Sequence, residues 1–198
     1  MNSEKIQRLE EHKCASIEER ILAAKKLLTP SPSPLPLKGG EDIRQRTDPP
    51  SLWRKGEGVG YRVGFHFDPL IDYAGWEEDY EIVIGKIFDR IPENRIAWIS
   101  LGCLRFMPEL KPIMQDRFPH SELTQAEWIR GMDGKLRYFK PRRVEIYRRM
   151  VEMIRRQAPR VTLYLSMESP EVWRLVFGGQ PSRESVCQML DRSASLSS

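Results

Sequence analysis

Residues 60–80 read GYRVGFHFDPLIDYAGWEEDY and residues 95–106 read RIAWISLGCLRF. In the first stretch, Tyr61 to Asp68 is a short apolar and β-branched run bounded by glycine and proline, the composition of a buried strand. Trp76 to Ile91 changes to helical periodicity through Ile82, Ile84, Ile87 and Phe88, and Arg95 to Leu101 returns to a strand pattern. A strand, a helix and a second strand in succession form a crossover unit, which runs its two strands parallel.

The flanking sequence extends this alternation. Upstream, SIEERILAAKKLL starts a helix: Ser16 caps the free backbone N–H groups, Glu19 reaches back to complete a capping box, and Ile17, Ile21, Ala24 and Leu28 make one buried face. Downstream, Met107 to Phe118 suits a helix opened by Pro108 and bent or shortened at Pro112. Within residues 122–140, Met132-Asp133-Gly134-Lys135 predicts a hairpin, because the Asp-Gly pair accepts positive φ. Pro141 to Ala158 is helical, Val161 to Met167 a strand, and Ser169 to Phe177 a helix with Pro170 in its first turn. The tail SRESVCQMLDRSASLSS reads as partly helical, then frayed. The fold class is therefore α/β, with a largely parallel sheet and a hairpin excursion.

Residues 29–58 break the pattern. They hold six of the fifteen prolines and four of the thirteen glycines. Proline removes backbone donors and fixes φ, and few large apolar groups remain to offset the entropy of ordering, so a disordered or polyproline-II insertion is expected. The chain divides into a helix at 1–28, this insertion at 29–58, an α/β domain at 59–178 and a flexible tail at 179–198.

Composition bounds the function. With 198 residues, 40% of them hydrophobic, the chain can bury one sizeable core. Its apolar runs are too short to span a bilayer and its N-terminus, MNSEKIQRLEEHKC, is charged rather than signal-like, so a soluble cytoplasmic protein without a membrane partner is expected. Cys14, Cys103 and Cys187 are odd in number and more than 80 residues apart, which suits structural thiols and matches neither a disulfide framework nor a zinc knuckle. No phosphate-binding loop or G-x-S-x-G sequence is present.

Functional groups of parallel sheets gather at the C-terminal ends of strands. His66 and Asp68 end the first strand, Arg105 lies just past the second, and Glu168 and Ser169 follow the last. For each a structural role stands beside the functional one: Asp68 before Pro69 fixes a turn, and His66 is a hydrogen-bonded core residue. Between Lys135 and Arg160 there are ten Lys or Arg against Glu145 and Glu152, a local net charge of +8. On a helical projection Val144, Tyr147, Val151 and Ile154 share a face, with Arg142, Arg148, Arg149, Arg155 and Arg156 largely opposite, so the row is either a solvated surface or a contact for DNA phosphates. Trp128 and Tyr138 are packing residues or stacking platforms for a base.

Four stretches together carry a family resemblance: GYRVGFHFDPLIDYAGWEEDY, RIAWISLGCLRF, MDGKLRYFKPRR and VTLYLSMESPEVW. They resemble the C-terminal part of spore photoproduct lyase-like radical S-adenosylmethionine proteins, over roughly residues 14–28 and 59–178. The resemblance implies the last strands of a partial (βα)6 barrel and, for the intact family protein, radical repair of a thymine photoproduct in DNA with S-adenosylmethionine and a [4Fe-4S] cluster. It further implies that Gly64, His66 and Asp68 belong to the wall around the cofactor. Arg105 (with Phe106), Arg137, Tyr138 and Lys140 match residues near the DNA lesion, and Arg142 belongs to the basic segment beside them.

One departure from the family is large. Its cluster needs three cysteines spaced C-x3-C-x2-C, and this sequence has no such triplet. The expectation is a C-terminal portion that binds no cofactor alone and is catalytically inert unless a separate, cluster-bearing half completes it. The other reading is a basic α/β module that binds nucleic acid without catalysis.

Overall fold

The computed structural model describes residues 15–28, 62–179 and 182–194. The expected insertion at 29–58, Tyr61 and Cys14 lie outside them.

The predicted βα alternation is present. Helix α1 spans Ile17–Leu28, strand β1 Val63–Leu70, helix α2 Trp76–Phe88 and strand β2 Ile96–Cys103. A short strand β3 (Arg105–Phe106), helix α3 (Leu110–Arg117), strands β4 (Trp128–Arg130) and β5 (Leu136–Tyr138), helix α4 (Lys140–Gln157), strand β6 (Thr162–Leu165) and helices α5 (Pro170–Phe177) and α6 (Arg183–Ala194) follow. The capping box of α1 is made as read: the Ser16 amide donates to Glu19 Oε2 at 2.8 Å and the Glu19 amide to Ser16 Oγ at 3.2 Å.

β1, β2 and β6 form a three-stranded parallel sheet in the order β1-β2-β6. Its register sorts the side chains by chemistry, because alternate residues of a strand face opposite sides. Phe65, Ile99 and Leu163 make one cross-strand row and Phe67, Leu101 and Leu165 the next, all buried. α2, through Trp76, Tyr80, Val83, Ile84 and Ile87, and α4, through Ile146, Tyr147, Met150, Met153 and Ile154, complete the core on this side. Ile82, read as part of the apolar face of α2, is exposed; the tighter stripe begins at Trp76.

The opposite face carries other rows: Gly64, Trp98 and Thr162, then His66, Ser100 and Tyr164. It is the polar and aromatic side of the sheet. The first row borders an irregularity between Val63 and Gly64, and the second precedes another between Phe67 and Leu70, next to the cis Asp68–Pro69 bond.

The hairpin forms its own antiparallel sheet, β3-β5-β4. Its tip closes with the Gly131 amide on the Lys135 carbonyl at 2.8 Å and the Gly134 amide on the Gly131 carbonyl at 3.0 Å, with Gly134 at φ 80°. Within the Met132-Asp133-Gly134-Lys135 turn Gly134 alone takes positive φ, the position of a three-residue hairpin loop that glycine fills without steric cost. Two expectations shift. Pro112 does not interrupt α3, since it is the third helical residue, where an amide has no intrahelical partner to lose. The tail forms a 12-residue helix, α6, which packs beside β2 and β6 and receives a 2.7 Å hydrogen bond from Arg62 Nη1 at the Ser193 carbonyl. Among the described residues no helix is long and apolar enough to cross a membrane.

Candidate functional site at the strand ends

The polar face of the sheet brings part of the predicted site together. His66 stands exposed on β1, its Nδ1 2.5 Å from Oγ of the fully buried Ser100, and its ring meets the Trp98 indole edge-on at 4.7 Å. Trp98 in turn meets Tyr164 at 5.7 Å. One residue pair further along, Asp68 lies over Gly102: a Cβ built on Gly102 would stand 2.5 Å from Asp68 Oδ2. The same carboxylate is 3.8 Å from Arg105 Nη2, a loose ion pair, and that nitrogen also lies 2.9 Å from Met167 Sδ. Met167 adopts φ 53°, unusual for a side chain of its size, at the end of β6.

Arg105 pairs directly with Arg137 across β3 and β5. Arg137 is held by the Asp133 carboxylate of the hairpin tip, while its Nε is buried without a hydrogen-bond partner. His66, Asp68, Arg105 and Arg137 thus form one constellation running from the sheet face to the hairpin.

The remaining predicted residues do not join it. Gly64 is the second residue of β1, at the end away from the strand-end loops, and its lack of a side chain makes room for Trp98, whose ring would lie 2.5 Å from a Cβ there. Packing explains this glycine without a ligand. Tyr138 is 2% exposed; it stacks on the half-buried Trp128 at 4.6 Å, and its hydroxyl accepts a 3.1 Å hydrogen bond from the Asp72 amide, so the Tyr138 ring presents no free platform to a base. Burial keeps the Tyr138 phenol well above its ordinary pKa. Lys140 pairs with Glu171 at 2.6 Å, drawing that exposed carboxyl below its ordinary value. Arg142 grips Asp72 with both Nε (2.7 Å) and Nη2 (2.8 Å) and reaches Glu145 with Nη1 at 2.7 Å; the hydrogen bonds it donates to Asp72 raise its pKa.

The rest of the arginine row on α4 is paired likewise. Arg149 meets Glu77 and Glu152, Arg156 meets Glu81, Arg148 donates to the Leu175 carbonyl and Arg155 to those of Ala158 and Val161. A local charge of +8 in sequence is largely balanced in space, by carboxylates from other elements that a linear count does not see.

Sequence reasoning missed the polar network beneath the strand ends. Arg143 and Glu168, with side chains 6% and 5% exposed, pair at 2.9 Å; Tyr147 donates to the same carboxylate at 2.9 Å and accepts from the Cys103 amide at 2.8 Å; Arg143 also reaches the Tyr138 carbonyl at 2.5 Å. This locks β2, the hairpin, α4 and the β6–α5 loop together, so Glu168 is a structural anchor rather than a surface group. Ser169 caps α5, accepting from the Val172 amide at 3.3 Å. A signal for Ser100 was available, as the lone hydroxyl in the apolar run IAWISLGC.

The residues present do not suit an iron–sulfur cluster. Among the described residues no group of three His, Cys, Asp or Glu converges, Cys103 is buried, and Cys187 lies apart on α6. Burial pushes the Cys103 thiol far above its ordinary pKa, opposing the thiolate that an iron ligand must be.

No family model matches the chain, and no curated protein matches it. Solved structures do. One is spore photoproduct lyase complexed with dinucleoside spore photoproduct, with a TM-score of 0.59 and 19% identity, covering 84% of this chain and 43% of that one. The chain shares the fold of part of spore photoproduct lyase. A cysteine-to-alanine variant of spore photoproduct lyase with the same dinucleoside gives 0.61 at 20% identity, and a double variant with bound AdoMet and the dinucleoside gives 0.59 at 19%, each over 84% of this chain and 43% of that one. This chain therefore spans less than half the length of the spore photoproduct lyase structures it matches.

Proposed function

We propose that this chain is the C-terminal part of a spore photoproduct lyase-like radical S-adenosylmethionine protein and forms one wall of its active-site barrel. The observation that carries the reading is the convergence of His66, Asp68, Arg105 and Arg137 at the strand ends, on a chain whose described fold follows that of spore photoproduct lyase. The chain's residues suit binding and orientation. Asp68 and His66 offer polar contacts on the open sheet face to the nucleoside cofactor. Arg105, loosely paired at 3.8 Å, retains charge for an anionic dinucleotide, with Arg137 beside it. The cluster, which supplies the electron for cofactor cleavage, belongs to another part of the barrel, because the sequence has no C-x3-C-x2-C triplet and no ligand set converges among the described residues; the chain alone is inert.

The paired arginines of α4 do not favour the reading as a separate nucleic-acid module. Titrating the dinucleotide form of spore photoproduct, with its linking phosphate, into the ¹⁵N-labelled chain tests the assignment. Amide shifts should concentrate at residues 66–68, 102–105 and 137, and Arg105→Ala should reduce them. Shifts confined to residues 148–156 of α4, or none, would reject it.

A further inference from the structure

Arg105 stands apart from the other arginines around the strand ends. Its side chain is 17% exposed, yet among the described residues its guanidinium donates to no oxygen within hydrogen-bond distance: Nη2 has the Asp68 carboxylate at 3.8 Å and the Met167 thioether at 2.9 Å. Arg137, Arg142 and Arg143 each hold a carboxylate closely. A guanidinium withdrawn from water needs acceptors in return, and a thioether is a weak one.

Met167 is placed there against local preference. Among the described residues it alone, apart from glycines, has positive φ, at 53°, where the Cβ of an ordinary side chain crowds the backbone. Its neighbours over-determine it. The Ser166 amide bonds the Leu101 carbonyl at 2.8 Å, the Glu168 carboxylate is held by Arg143 and Tyr147, and Ser169 caps α5. Pinned on both sides, the chain lifts Met167 out of the core, and at 73% exposure no burial offsets the strain. What the conformation secures is a sulfur on Arg105. Strain held in place by its surroundings and directed at a candidate site points to a role in that site.

A thioether suits a partner that has to be displaced. It sits on a flexible, unbranched stem and accepts weakly, so it orients the guanidinium and yields to an oxyanion, whereas a carboxylate in its place would compete with one. We propose that Met167 is a positioning residue whose sulfur holds Arg105 at the strand-end rim until the phosphate of the substrate takes that nitrogen. This rests on the reading of Arg105 as the residue that meets an anionic dinucleotide.

Side-chain ¹⁵N spectra of Arg105, with titration of the dinucleotide form of spore photoproduct, test it on the full chain and on its Met167→Gly and Met167→Leu variants. Glycine accepts φ 53° without strain and removes the thioether, so Met167→Gly should keep or raise the melting temperature while the Arg105 Nε resonance moves toward that of a free arginine. Dinucleotide affinity should fall about threefold to tenfold, the worth of one hydrogen bond. Met167→Leu keeps the bulk, loses the sulfur and should move the resonance and the affinity in the same directions. A lower melting temperature for Met167→Gly would make Met167 a packing residue and overturns the proposal. Normal dinucleotide binding with an unmoved Arg105 resonance in either variant also overturns it and leaves the functional reading standing. A wild-type chain that binds no dinucleotide, with the Arg105 resonance still shifted in both variants, retains the sulfur contact and rejects that reading.

Discussion

Gly64 and Gly102 lie on the same face of the sheet and answer to different neighbours. A methyl at Gly64 would meet the Trp98 indole at 2.5 Å, and a ring held by His66 on one side and Tyr164 on the other has little freedom to retreat. Gly64→Ala should lower stability by about 1–3 kcal/mol in a denaturant titration, and by less in a Trp98→Leu background. At Gly102 the obstructing atoms belong to the Asp68 carboxylate, which can swing away, so Gly102→Ala should leave the melting temperature nearly unchanged while shifting the Arg105 resonances. The cysteines separate in the same manner. Cys187 is exposed and should alkylate readily in the native protein at pH 8, whereas Cys103 should react only in denaturant. Because burial raises the folded thiol's pKa, the folded state holds its proton after the unfolded chain has lost it. This contribution to stability is complete below the ordinary thiol pKa and declines as pH rises above it.

At the level of elements, periodicity carried the reading as far as local physics allows. The alternation of strand and helix, the Ser16 cap and the Gly134 turn were legible because each depends on residues within a few positions of one another. Pairings between distant elements were not. Nothing linear in α4 reveals that Glu77 and Glu81 of α2 stand beside Arg149 and Arg156, or that Asp72 waits for Arg142. Tyr138, read as a ligand residue, is likewise claimed by the core through Trp128 and the Asp72 amide. The placement of His66, Asp68 and Arg105 at the strand ends was legible because the strand-end rule is topological, but their link to Arg137 required the β3–β5 pairing. Three expectations follow. Tyr138→Phe removes the acceptor of the Asp72 amide and should cost about 1–3 kcal/mol in chemical denaturation, with the Trp128 stack intact. Glu168→Ala strands the buried Arg143 guanidinium and should cost about 3–5 kcal/mol, against less than about 1 kcal/mol for Glu81→Ala, whose surface pair is solvated. Duplex DNA should bind the isolated chain weakly with a shallow salt dependence in fluorescence anisotropy, since the α4 arginines already have partners; a steep slope would show them free.

For the whole molecule, the parallel sheet supplies a core on one face and a polar face on which His66 and Asp68 are exposed, and the hairpin sheet brings Arg137 to Arg105 at its rim. Among the described residues no cysteines are placed to hold iron. Anaerobic reconstitution with iron and sulfide, followed by reduction in the presence of S-adenosylmethionine, addresses the account directly. The chain alone should acquire no [4Fe-4S] absorbance and yield no 5′-deoxyadenosine, and both should appear when a cluster-bearing half is added. Cluster assembly and cofactor cleavage by the chain on its own would contradict it.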